Sequence, residues 1–244
     1  MSDTSCEHCT LRRKAFFRPL APDELKLVSG MRIQQGTLAA GRLLFKAGES
    51  PRAFYTLLEG WAGACPDVPN APLHVTDILL PGDLVGTQDC LIGSHGQSVI
   101  ALTRLRYCAL HPSLPQKLAE RGGALCLALM RDFAEGRSRR ERMTTLLGSG
   151  SPSERLAYLF LETFDRLKAI GLADQTMCPF PIRRRQLAEI VGLSEVHVSR
   201  TLAAMRKDGL IDLSNNILII SDIERLASMA KLKPTVSHEG RLIL

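Results

Sequence analysis

Between residues 20 and 112 the apolar positions fall in short clusters, "LLFKAGES", "FYTLLEGWAGAC", "HVTDILLPGDLVG" and "SVIALTRLRYCALHP", each bounded by Gly, Pro or Asp. Runs of this length between turn residues predict the strands of a small antiparallel barrel or roll. Gly48, Gly60, Gly82, Gly86 and Gly93 mark its expected joints. Past His111-Pro112 the apolar spacing changes to threes and fours. "SLPQKLAERGG" predicts a short helix stopped at Gly122-Gly123, and "ALCLALMRDFAEGRSRRERMTTLLG" a longer one that begins apolar and ends basic. Its Leu125, Leu129, Phe133, Met143 and Leu147 share a stripe, weakened near Gly136, that suits packing on its own domain or on a second copy. In "GSGSPSERLAYLF" a Gly/Ser linker precedes Ser151, Pro152 takes the first helical position, and Glu154 completes a capping box. A new helix, and with it a new domain, is expected there. Leu156, Leu159, Phe160 and Thr163 carry that helix to about Ile170, and "GLADQTMCPFP" reads as a loop.

The stretch "LAEIVGLSEVHVSRTLAAMRKDGLI" holds two helices joined by a tight turn. The first is expected from about Arg183 to Val191, burying Leu187, Ile190 and Val191. After Gly192-Leu193, Ser194 caps a second helix that ends at Lys207, before Asp208-Gly209. That is helix-turn-helix grammar. At about 100° per residue, Val198, Thr201, Leu202 and Met205 fall on one face of the second helix, and Val196, Ser199, Arg200, Ala203 and Lys207 on the other. Small side chains there allow close approach to another surface, and Arg200 offers a planar fork that matches guanine O6 and N7. Arg183, Arg184 and Arg185 open the first helix, where a phosphate also meets free backbone N–H groups. "GLIDLSNNILIISD" then predicts two strands around an Asn215-Asn216 turn, a wing, with Asp222 capping a last helix through Leu232.

The charge balance agrees with an anionic partner: 31 Lys and Arg against 25 Asp and Glu give a formal +6. Seven cysteines, an odd number, and an N-terminus without an apolar leader core point to a reducing cytoplasm. No run approaches the roughly 18 uninterrupted apolar residues of a membrane span. An enzyme built on the roll, as in the cupins, is the competing class. His74, His95 and His111 are scattered and form no H-x-H, and neither a nucleophile signature nor a phosphate-cradling glycine loop occurs. Catalysis is therefore not expected.

With roll, long helix and winged helix-turn-helix in this order, nearly the whole chain closely resembles the Crp/Fnr family of bacterial transcription regulators. The resemblance implies an α+β chain with an N-terminal antiparallel β-roll, similar to cyclic-nucleotide-binding domains, a dimerisation helix and a C-terminal winged helix-turn-helix. Its expected parts are a cysteine-bearing segment at 1–19, the sensor roll at 20–112, the connecting helices at 113–149, the DNA-binding domain at 150–232 and a tail at 233–244. It further implies a homodimer, with Leu125, Leu129, Phe133 and Met143 in the seam, that reads a near-palindromic site in double-stranded DNA and contacts RNA polymerase. Matched by position, Arg200 is the guanine-reading arginine, Ser199 its neighbour, and Arg184, Arg185, Ser194 and His197 meet phosphates. Glu195 and Val196 complete the DNA-facing set. Val196 stands where many members carry a glutamate that accepts from cytosine N4, so a changed half-site is expected at that position.

The same resemblance bears on the effector. Members that bind cyclic AMP hold its ribose with a glutamate and its phosphate with an Arg-Ser or Arg-Thr pair. Here Thr87 and Gln97-Ser98 stand in those places, so cyclic AMP is not the expected effector. Oxygen-sensing members hold a four-iron, four-sulfur cluster with N-terminal cysteines and one at the end of the roll. Cys6, Cys9 and Cys108 match three of these positions, and the slot for the remaining ligand holds Ala15 or, at a longer spacing, Phe17. An iron-sulfur cluster with another fourth ligand, a redox thiol pair or zinc site, and no cofactor at all remain open readings. Cys65, Cys90, Cys126 and Cys178 read as small buried hydrophobes.

Overall fold

The computed structural model describes residues 6–9, 11–12, 14, 17–231 and 243–244, the side chain of Glu7 excepted. Ala15 and Leu232 lie outside the described residues. The chain divides into two compact units, residues 1–132 with 239–244, and residues 133–238.

In the first unit, eight strands form two antiparallel sheets. They are β1 (Arg32–Leu38), β2 (Leu43–Phe45), β3 (Phe54–Glu59), β4 (Ala62–Pro66), β5 (Asp77–Leu79), β6 (Leu84–Val85), β7 (Gln97–Ala101) and β8 (Leu105–Leu110). One sheet runs β1-β8-β3-β6 and the other β2-β7-β4-β5. Between the sheets lie Phe45, Leu57, Val85, Val99 and Leu105, fringed by Tyr55 and Tyr107. The β3–β4 hairpin depends on Gly60, whose φ is 83° and where a Cβ would fall 2.1 Å from the carbonyl oxygen of Arg104. No L side chain satisfies both conditions.

Two helices interrupt the stretch expected to hold only strands. Helix α1 (Pro22–Gly30) starts with proline at its first turn and carries Asp23 and Glu24 there, where the helix dipole favours negative charge. Arg18 clamps Glu24 with two hydrogen bonds of 2.9 and 2.8 Å and holds that carboxyl below its usual range. Helix α2 (Thr87–Ile92) is a single short piece between Gly86 and Gly93, both left-handed. These helices have few apolar residues at helical spacing, which hid them in the pattern.

Helix α3 (Leu114–Arg121) stops at Gly122 and Gly123, both at positive φ. The 27-residue helix α4 (Gly123–Ser149) begins in the first unit and ends in the second. Helix α5 (Pro152–Ala169) opens on the expected capping box: Glu154 N–H donates to Ser151 Oγ and Ser151 N–H to Glu154 Oε2, at 3.3 and 3.0 Å. It is buried almost all round, which makes it the central helix of the second unit. Even Glu162 is inside, where Arg139 of α4 and Arg166 each approach it to 3.3 Å. A buried carboxylate needs such partners.

The segment read as a loop after α5 contributes a strand, β9 (Met177–Pro179). It pairs with β11 (Ile217–Ile220), which pairs with β10 (Ile211–Ser214), so the wing is a three-stranded sheet. Three residues are too few to show alternation, and only the partner strand defines them. Asn215 and Asn216 both take positive φ at the β10–β11 turn, as their short amides tolerate. Helix α8 (Ile223–Met229) is shorter than expected because Lys231 turns left-handed, with its ammonium 2.5 Å from Glu154. Between β9 and β10 lie helix α6 (Arg184–Val191) and helix α7 (Glu195–Lys207).

Candidate functional site

Helices α6 and α7 form the expected pair. Gly192 ends α6 in the left-handed region, and Ser194 Oγ accepts from His197 N–H at 3.2 Å to start α7. Val198, Thr201, Leu202 and Met205 are buried, while Glu195, Val196, His197, Ser199, Arg200, Ala203 and Lys207 are exposed. Both faces of α7 thus lie as its sequence required. Val196, 61% exposed, and Ala203 leave a low apolar surface beside Arg200, which pairs with no carboxylate among the described residues. Arg184, Val196, Ser199 and Arg200 line one concavity of about 440 Å³, and a second of about 360 Å³ runs past Arg206 and Lys207 to the wing residue Leu213.

The basic side chains of this surface are not equivalent. Arg184 is exposed, whereas Arg185 Nε is 2.9 Å from Glu189 on its own helix. Arg206 is tied to Asp212 of the wing. Ser199 Oγ donates to Glu195 O at 2.8 Å and still offers its lone pairs. One contributor has no signal in the sequence: Arg155 of α5 donates to Gly150 O at 3.0 Å and to Val191 O at 3.2 Å, joining the start of α5 to the turn that launches α7. Its targets are backbone carbonyls, which every sequence contains.

The cysteines separate into two kinds. Cys108 lies on β8, buried, and its thiol is pushed up to about 12, first by desolvation and then by the nearby thiols of Cys6 and Cys9, against the pull of Arg32 and Arg12. Cys6 is buried on the 3-10 turn Cys6–His8, and Cys9 follows it half-buried. Cys6 and Cys9 therefore lie within electrostatic reach of Cys108, as do Arg12 and Arg32. Arg12 is the more telling of the two, since its Nε and Nη1 are buried without a hydrogen-bond partner. Among the described residues, however, no three His, Cys, Asp or Glu are arranged to hold a metal ion. Three sulfurs are also one ligand short of an ordinary four-iron shell, so this set does not fit a complete cluster. Of the other cysteines, Cys65 and Cys178 are buried as expected, while Cys90 and Cys126 are only half-buried.

Around the matched effector positions, Ser98 Oγ accepts from Ala47 N–H at 3.0 Å, and Asp89 pairs with His95 at 2.8 Å. His95 is buried and stacks on Phe45 with ring centroids 3.8 Å apart, so it is a satisfied core histidine. Thr87 is buried with its hydroxyl unpartnered.

Helix α4 corrects one expectation. Leu125 and Leu129, assigned to the dimer seam, are each only 4% exposed within the protomer, and Phe133 and Met143 are half-buried. Among the exposed residues, Leu127, Met130, Ala134, Arg137, Glu141 and Thr144 are again spaced by threes and fours. The apolar start of α4 has two apolar sides, and spacing alone did not reveal which one the protomer covers. No helix of the described chain is long and apolar enough to cross a membrane.

Comparison with known proteins bears on both units. The Crp-like helix-turn-helix domain matches residues 154–229, and the cyclic nucleotide-binding domain matches residues 35–121. The nitrogen fixation regulation protein FixK of Bradyrhizobium diazoefficiens is 26% identical over 231 residues, covering 92% of this chain and 93% of FixK. The anaerobic regulatory protein of Haemophilus influenzae is 23% identical over 230 residues, 94% of this chain and 89% of its own. Among solved structures, FixK2 from Bradyrhizobium japonicum shares the fold with a TM-score of 0.70, at 22% identity, over 84% of this chain and 98% of its own.

Proposed function

The chain belongs to the Crp/Fnr family of transcription regulators, and from that premise we propose that it acts as a homodimer placing two copies of α7 in the major groove of a near-palindromic site. The observation that carries this reading is the outward face of α7, where Val196, Ser199 and Ala203 are exposed around Arg200, whose guanidinium pairs with no carboxylate among the described residues. Arg200 reads a guanine, Ser199 supports it, and Val196 offers apolar contact only, favouring a thymine methyl over cytosine N4. Arg184, Arg185, Ser194 and His197 hold phosphates at the helix N-termini, and Glu195 flanks the base-reading set. Contact with RNA polymerase is carried over from the family. Selection from random duplexes is the test. A half-site altered where Val196 lies is expected, and failure to enrich any duplex overturns the reading.

Leu127, Met130 and Ala134, joined by Phe133 at the edge, form the seam of that dimer. Coiled-coil seams require such a stripe facing a partner. Met130→Glu is expected to give monomers by light scattering with operator binding lost; a stable dimer in that variant removes the seam from this face.

The regulator responds to redox state through Cys6 and Cys9. A peroxide takes two electrons and two protons from the pair, leaving one disulfide and two waters. Cys108 is the poorer nucleophile because burial holds its thiol protonated. The relatives named for anaerobic regulation support a redox response, and the missing fourth sulfur weighs against a bound cluster. Operator affinity measured before and after peroxide, with an iron assay on anaerobically prepared protein, tests this. Unchanged affinity, or stoichiometric iron and sulfide, overturns it. Cyclic AMP is not the effector, since Asp89 and an engaged Ser98 occupy the region where a cyclic phosphate needs a cation. Micromolar binding by titration calorimetry would reverse that.

A further inference from the structure

The outer face of the β1-β8-β3-β6 sheet is covered by something the roll does not itself supply. Side chains alternate along a strand, and Tyr55 and Leu57 of β3, with Leu105 and Tyr107 of β8, point into the roll. Phe54 and Thr56 of β3, paired in register with Leu110 and Cys108 of β8, therefore point outward. Yet Phe54, Thr56 and Leu110 are each 0% exposed and Cys108 is 6% exposed. A roll that ended at its own strands would leave this row wet.

Part of the cover comes from the C-terminal end of the chain. Thr56 Oγ1 donates to Leu244 O at 2.6 Å, a buried bond spanning 188 positions of sequence. Ile243 and Leu244 are 1% and 3% exposed, within the range of the roll's core residues. The Thr56 hydroxyl is thus satisfied by a backbone oxygen of Leu244, whose side chain and that of Ile243 are both buried. Opposite residues of antiparallel strands hold their Cβ atoms about 5 Å apart, so the seat at Thr56 adjoins Cys108. Cys6 shares the same patch. Ile243 and Leu244 belong to the first unit, whereas helices α6 and α7 belong to the second.

We propose that the Thr56 face of this sheet is a docking site for the Ile243–Leu244 segment of the same chain, and that docking shields Cys108 while anything bulkier than a free thiol at Cys108 expels the segment. Two occupants of one seat exclude each other, and the coupling is reciprocal. The inference rests on the burial and register of this face, not on the redox reading above, and it survives if Cys6 and Cys9 prove inert.

The test is the rate at which Cys108 is labelled by iodoacetamide in the reduced full-length protein, followed by peptide mass spectrometry. In a double variant, Ile243→Asp with Leu244→Asp, labelling of Cys108 is expected to rise about tenfold or more, as local protection is lost. Cys65, on the other sheet of the same unit, should stay protected; if it is labelled too, the variant has unfolded and the decision passes to Thr56→Val. That isosteric change removes only the hydroxyl and is expected to raise Cys108 labelling about threefold to tenfold, the factor for one lost hydrogen bond. In the reverse direction, wild-type protein alkylated at Cys108 under mild urea and returned to buffer should show faster amide exchange in the C-terminal peptide that contains Ile243 and Leu244. Unchanged Cys108 labelling in folded Thr56→Val, or exchange in that peptide at unprotected rates before any alkylation, overturns the proposal.

Discussion

The surface of α7 and the patch around Cys108 place their reactive groups under opposite conditions. On α7 the residues proposed to read DNA are exposed, Arg200 pairs with no carboxylate among the described residues, and the helix is held from behind by Val198, Leu202 and Met205. Around Cys108 the thiol is desolvated, the thiols of Cys6 and Cys9 raise it further and two guanidiniums partly compensate. A surface that reads DNA must reach out of its own fold, since base edges are met at contact distance. A group that reports on conditions gains from burial, because access then depends on a structural change. The difference teaches which region responds to substitution and which to solvent chemistry.

The largest expected contrast is in reactivity. At pH 8 a thiol pushed to about 12 instead of 9 should react with iodoacetamide about a thousandfold more slowly than an ordinary cysteine, by the loss of thiolate alone. Labelling at the ordinary rate would place Cys108 with the exposed groups and abolish the distinction. The same burial has a pH signature. Folded-state values for Cys108 and Cys178, both raised to about 12, mean that the neutral thiols favour the fold. Their contribution is complete below the unfolded value near 9 and is lost as pH rises toward 12. Denaturant midpoints should accordingly be flat below pH 9 on this account and decline above it.

Arg200→Ala comes next, with an expected loss of about 1–3 kcal/mol of discrimination at one guanine and little change in unspecific binding. Arg184→Ala should weaken all sequences alike and reduce the slope of log affinity against log salt by about 1. Equal losses on every sequence for both would make Arg200 another phosphate contact. Smaller still, Ser194→Ala removes the cap that accepts from His197 N–H and should cost about 1 kcal/mol of stability in thermal unfolding. It should leave Cys108 labelling unchanged. A parallel change there would mean that the two regions are not independent.

How legible each region was follows from the distance between its parts. The capping box at Ser151, the Gly192 turn and the two faces of α7 are written within a few residues and obey the helical period, so the pattern predicted them directly. The wing turn at Asn215-Asn216 is equally local. Helices α1 and α2 were missed because they carry too few apolar residues to show a period, and β9 because three residues define no alternation. On α4, Leu125 and Leu127 are both apolar, and only packing decided that the first is covered within the protomer and the second is not.

By itself, then, the sequence determined the order of elements, the helix-turn-helix pair and which residues of α7 are left exposed, because each rests on interactions between neighbours along the chain. Only the tertiary structure brought Cys6 to Cys108, Arg155 to the Gly192 turn and Leu244 to Thr56. Those meetings depend on which surfaces remain apolar and uncovered after the local elements have formed. That is a property of the folded whole, and no spacing in the text carries it.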